Sequence, residues 1–123
     1  MNQIILDGVV QKNPNLLSDI SSFNISAITG TYKLANNITK NRFTYIRIIY
    51  PKPIDDYIVN LIQPKSLVRI YGKLDSEQYE IDSGKIVYNK IIRADRIVKI
   101  KFNKDIQQYE EVIWWQKEKI KPP

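Results

Sequence analysis

The sequence predicts an all-β domain with one short helix, its elements in the order βββαββ. Three observations carry this: apolar runs of strand length bounded by turn residues, one stretch with helical spacing, and a length of 123 residues with no internal repeat. A chain of this size buries roughly two-thirds of its unfolded surface, enough for one core.

Ile4 to Val10 is an apolar run closed by the turn signal Asn13-Pro14-Asn15. Phe23-Asn24-Ile25-Ser26-Ala27-Ile28 alternates as a half-buried strand does. Lys33 to Asn41 is polar and rich in asparagine, so a loop is expected there before the third strand, RFTYIRIIY, at 42–50. After Pro51 and Pro53, IDDYIVNLIQ sets Ile54, Tyr57, Ile58, Leu61 and Ile62 on one helical face. Two aspartates stand in its first turn and Pro64 ends it. Leu67 to Leu74 and Ile86 to Ile100 read as two long strands, the second expected to bend. They are joined by an excursion through Tyr79 with Asp82-Ser83-Gly84-Lys85 at the turn.

These elements predict one domain over 1–101 and a C-terminal extension over 102–123. In the extension Phe102, Ile106, Tyr109, Ile113 and Gln116 are spaced for one side of a helix, with Trp114 and Trp115 nearby and a basic, proline-capped end. Two uses fit it: a segment packed on the domain or on a neighbouring subunit, and an added stacking or partner-binding surface.

Composition narrows the chemistry. Hydrophobic residues at 43% and charged residues at 26% are ordinary for a globular domain. No apolar run approaches the ~20 residues that span a membrane. The opening MNQIILDGVV lacks a basic lead and a small-residue cleavage site, so it is expected to be structural and the protein cytoplasmic. Without cysteine there is no disulfide framework and no thiolate metal site. Without histidine, a catalyst would lack imidazole as base or zinc ligand, and neither GxxxxGK nor GxGxxG occurs. A binding protein that needs no cofactor is therefore expected instead of an enzyme. The net charge of +6 is concentrated in residues 32–104, which carry +8. That segment also holds most of the tyrosines, as suits a polyanion partner, although a basic balance also serves solubility alone.

Five strands with a helix between the third and fourth is the order of an OB-fold, a Greek-key barrel that often binds oligonucleotides. Particular residues point the same way. NQIILDGVVQKNPNL, through Asn2, Ile4, Leu6, Gly8, Asn13 and Pro14, resembles the start of bacterial-type single-stranded DNA-binding proteins (SSB). GKLDSEQYEIDSGKIVYNKIIRADRI resembles the last two strands of that family through Gly72, Leu74, Tyr79, Gly84, Tyr88, Ala94, Asp95 and Ile97. TYIRII falls at the third strand between them. The resemblance implies an OB-fold that coats single-stranded DNA and a homo-oligomer, a tetramer or dimer, formed partly through the first strand. It also implies stacking aromatics at Tyr45, Tyr50 and Tyr79, with Tyr32 loosely aligned to a fourth position and Tyr88 in the same hairpin as Tyr79. The family's usual acidic tip is not matched by IWWQKEKIKPP.

The residues supply a physical reason of their own. Tyr45 and Arg47 are two apart in a strand and share a face, while Ile46 and Ile48 share the other. Every base has a π-face, so a sheet tyrosine stacks bases regardless of sequence, while Arg and Lys hold phosphates. Arg42, Arg47, Lys73 and Lys85 are the expected backbone contacts. Arg69, Tyr71 and Lys73 form a second stripe of the same kind, read equally well as a solvated outer face. Tyr45 as a half-buried sheet residue is the plainer alternative for the first stripe. The acidic run Asp75, Glu77, Glu80 and Asp82 admits a nuclease metal site, but its spacing matches no ion loop and solvated hairpin charges account for it. The expected function is non-specific single-stranded DNA binding in replication, recombination or repair. The alternatives are an RNA-binding or primosome-accessory OB domain, or an OB-fold nuclease.

Overall fold

The structure, a computed structural model, describes residues 1–112. It contains β1 (Ile4–Val10), β2 (Asn15–Leu16), β3 (Ser21–Lys33), β4 (Thr39–Tyr50), α1 (Asp56–Leu61), β5 (Leu67–Glu80), β6 (Ile86–Asn103) and β7 (Gln108–Glu111). Apart from the two-residue β2 and the terminal β7, this is the order read from the sequence.

Pairing closes the sheet on itself. β1 lies between β5 and β3; β5 pairs β6, β6 pairs β4 in parallel over Arg47–Ile49, and β4 pairs β3. The result is a ring of five strands, the mostly β, one-helix architecture of an OB-fold. Its interior holds Val10, Phe23, Ile25, Ile48, Tyr50, Val68, Ile70, Ile92, Ala94 and Ile97. Ile58, Leu61 and Ile62 from the α1 segment pack into the same core. Asp55 caps that helix by accepting from the Ile58 amide at 2.9 Å.

Two glycines let the ring close. A Cβ at Gly8 would stand 2.6 Å from the Ser26 carbonyl oxygen, and one at Gly72 would overlap the Arg93 carbonyl oxygen. Gly72 lies at a bulge where the β5–β6 register shifts, Tyr71 facing Arg96 and Gly72 facing Ala94, with Asp95 left over on β6.

Three segments differ from the sequence expectation. Lys33 to Asn41 is not a free loop: β3 and β4 stay paired out to Lys33 and Thr39, leaving a turn at 34–38. The β5–β6 hairpin likewise runs to Glu80 and Ile86. The expected helix from Phe102 is, in its described part, a β-hairpin. Phe102 pairs with Tyr109 across β6 and β7, their rings edge to face at 5.1 Å. Asn103 and Gln108 bound a four-residue turn, so cross-strand pairing of two aromatics replaces the helical spacing. Ile113, Trp114, Trp115, Gln116 and the basic end lie outside the described residues.

Gly72→Ala is expected to cost about 1–3 kcal/mol, because backbone must shift to admit the methyl group. Thermal unfolding followed by circular dichroism should show a fall of several degrees in Tm; an unchanged Tm would show that the closure has slack.

Candidate nucleic-acid interface

Strand register assigns each expected residue to a face. Arg47 is opposite Ile91, which is opposite Asp75, so these three share a side of the sheet. Alternation then puts Phe43, Tyr45, Arg47 and Ile49 of β4, Asn89, Ile91 and Arg93 of β6, and Lys73, Asp75, Glu77 and Tyr79 of β5 on the outer face. Ile46, Ile48 and Tyr50 point inward.

Tyr45 is 75% exposed and Tyr79 is 47% exposed, so both offer ring surface on one side of the barrel. Phe43, at 51%, extends the same row by one aromatic. Sequence reading missed it, although its position two residues before Tyr45 was the available signal. Beside Arg47 a cleft of about 170 Å³ opens between Leu17, Ile20, Ser22 and Ile49.

Tyr50 corrects the expectation. It is 8% exposed and packed in the core, where burial first and the nearby Asp55 charge second raise its pKa. Its parity is opposite to that of Tyr45, five residues earlier, so both cannot lie on one platform. Tyr32, Arg42 and Tyr88 are exposed on the reverse sides of the two long hairpins, with the Arg42 guanidinium 5.4 Å from the Tyr32 ring centroid. Lys73 stands exposed opposite Arg93, and Lys85 at the β5–β6 turn.

Two members of the second stripe, Arg69 and Tyr71, are engaged internally. Arg69 binds Asp7 with both arms, Nε to Oδ1 at 2.6 Å and Nη2 to Oδ2 at 2.9 Å, and Nη2 also donates to the Tyr109 carbonyl at 3.3 Å. The hydrogen bond to Asp7 raises the Arg69 pKa above its already high ordinary value. The Tyr71 hydroxyl donates to Glu111, which also takes Arg96 at 3.2 Å, and the Arg96 guanidinium lies 4.5 Å from the Tyr71 ring centroid. Instead of standing free for phosphate and base, Arg69 and Tyr71 fasten β7 to the barrel.

The acidic run is also partly paired. Asp75 accepts from Arg93 at 2.8 Å and from the Ser76 amide at 2.8 Å, and the Arg93 bond first, then the amide, hold its pKa below the usual carboxylate value. Glu77 meets Arg47 at 2.9 Å. Among the described residues no three carboxylates or other metal-binding side chains converge.

The ring of five strands with one helix packed on its core is thus an OB-fold. No protein-family model matches the chain, and no curated protein sequence matches it. Solved structures do. A Plasmodium falciparum SSB in complex with ssDNA superposes at a TM-score of 0.59 with 17% identity, over 92% of this chain and 96% of that one. A small single-stranded DNA-binding protein from Streptomyces coelicolor superposes at 0.57 with 13% identity, over 79% and 92% respectively. At these identities the likeness is one of fold: the chain has the OB-fold that these SSB proteins have.

The Tyr71 network yields a pH prediction. Bonding to Glu111 foremost raises the Tyr71 pKa above 10.0, so the neutral hydroxyl is favoured in the folded state. Its contribution is fully present below pH 10 and is lost as pH rises through the folded-state value. Tyr71→Phe should lower Tm at neutral pH, flatten the alkaline decline of Tm and remove one late-titrating tyrosine from an ultraviolet titration. A decline as steep as in the wild type would assign it to Tyr50 alone.

Proposed function

We propose that this chain binds single-stranded DNA without regard to sequence, Tyr45 stacking a base and basic side chains contacting the backbone. The observation that carries this is the exposure of Tyr45, 75%, on the outer face of an OB barrel, with Phe43 and Tyr79 on the same face. An aromatic ring so exposed contributes little to the core and offers a π-face to any base. The fold shared with two single-stranded DNA-binding proteins supports the same ligand. So does the +8 charge of residues 32–104. The corresponding cellular role is protection of single strands in replication, recombination or repair, in the cytoplasm, by a protein without catalytic activity. Titrations with oligo-dT, oligo-U and duplex DNA separate this from RNA binding.

Self-association through the first strand belongs to the same proposal. β1 pairs β3 only from Gly8 to Val10, whereas it pairs β5 from Ile4 onward. Among the described residues the Ile4–Asp7 edge is therefore open on one side, with Ile5 54% exposed beside it, and such an edge suits pairing with a second copy. Ile5→Lys should lower the solution mass measured by light scattering; an unchanged mass would place the contact elsewhere.

Tyr45→Ala should weaken oligo-dT binding by roughly 1–3 kcal/mol, one to two decades, while Tyr45→Trp preserves or strengthens it. Tm should barely move in either variant, since the ring is exposed. Normal folding with unchanged affinity in Tyr45→Ala would overturn the assignment. For the wild type, log K should fall with log salt at about 0.7 per phosphate neutralised.

A further inference from the structure

The arginines on the outer face already have anionic partners. Arg47 reaches across β6 to Glu77, Nε to Oε1 at 2.9 Å, and Arg93 binds Asp75, Nε to Oδ2 at 2.8 Å. The four side chains retain 43%, 30%, 43% and 45% exposure in that order, so both pairs are open to exchange from solution. Between them, Ile91 sits in the row Arg47–Ile91–Asp75 on the outer face and is 0% exposed. Its neighbours on that face by register are Arg47, Asp75, Asn89 and Arg93.

We propose that Glu77 and Asp75 are built-in competitors for nucleic-acid phosphate, holding Arg47 and Arg93 in ion pairs beside Ile91 until a strand replaces a carboxylate with a phosphate. This rests on the single-stranded DNA reading and deepens it. Guanidinium donates to either oxyanion with the same planar geometry, so the exchange needs no rearrangement of the sheet. Each exchange leaves a displaced carboxylate beside the incoming phosphate, and the net gain from charge alone is small. A ligand offering phosphates but no free base faces gains little here. One that also stacks on Tyr45 gains the stacking, and the paired arginines thereby turn a phosphate site into a selector for single strands.

The test compares oligo-dT binding, at several salt concentrations, for the wild type, Glu77→Gln, Asp75→Asn and the control Glu110→Gln. Glu110 pairs with Lys101 on the β6–β7 hairpin, so its variant makes the same charge change away from Tyr45. Glu77→Gln and Asp75→Asn keep the side-chain shape, and exposed pairs contribute little to folding, so Tm is expected to stay near that of the wild type. Each should bind about two- to five-fold more tightly, the fold-change equivalent to one exposed ion pair. Each should also steepen the salt dependence by up to about 0.7 per freed arginine, with the control near the wild type. Duplex DNA should gain more from these substitutions than oligo-dT does. Wild-type affinity and slope in both variants, or an equal gain in the control, would refute the competition and leave single-stranded DNA binding standing. If no variant binds oligo-dT at low salt, the single-stranded DNA reading fails and the competition falls with it.

Discussion

Closure of the ring through β1 is the constraint on which the other features rest. Gly8 opposite Ala27 and Gly72 opposite Ala94 bring backbone against backbone where any side chain would intrude. With the strands so close, small residues line the tight crossings and isoleucines fill the rest of the interior. The pairings set there leave no freedom to slip a strand by one residue. A slip in β4 would turn Ile46, Ile48 and Tyr50 outward and bury Tyr45 and Arg47.

The outer face is therefore a by-product of the core. Three alternate residues of β4 are held inward by burial, and their neighbours have no choice of side. Rigidity follows too: Tyr45 stands opposite Ser26 in the long β3–β4 pairing, two residues before β4 also pairs β6, so its ring is presented at little conformational cost, and that economy suits stacking on a ligand with no fixed sequence. The turns of the β3–β4 and β5–β6 hairpins project beyond the closed ring, and their paired backbones carry exposed tyrosines on sides the barrel does not use.

Much of this was legible in the sequence because it depends on local pattern. Apolar alternation located five strands, Pro64 and the aspartates located the helix, and the i, i+2 relation of Tyr45 to Arg47 assigned them one face. For Tyr50 the family resemblance and strand parity point to opposite faces, and parity, which buries it with Ile48, decides. The hairpin at 102–109 is hidden in the sequence because Phe102, Ile106 and Tyr109 satisfy helical spacing while cross-strand pairing decides the outcome. The partners of Arg47, Arg69 and Arg93 were not legible at all. Asp7 is 62 residues from Arg69, Asp75 is 18 from Arg93, and Glu77 meets Arg47 only because β6 lies between their strands. Such contacts come from topology, and no periodicity announces them.

That distribution of partners gives the positive charge a shape that its total hides. Arg47, Arg69, Arg93 and Arg96, on or near the barrel wall, each face a carboxylate. Among the described residues Lys33, Lys40, Lys85 and Lys90, on the two hairpins, are exposed and in no ion pair. Beyond a Debye length of ~8–10 Å a paired arginine is electrically quiet, whereas an unpaired lysine on a projecting hairpin still attracts a phosphate. Under the proposed function, capture then belongs to the hairpins and discrimination to the wall. Lysines draw in any polyanion, and only a strand with exposed base faces gains enough at Tyr45 to displace the carboxylates behind it.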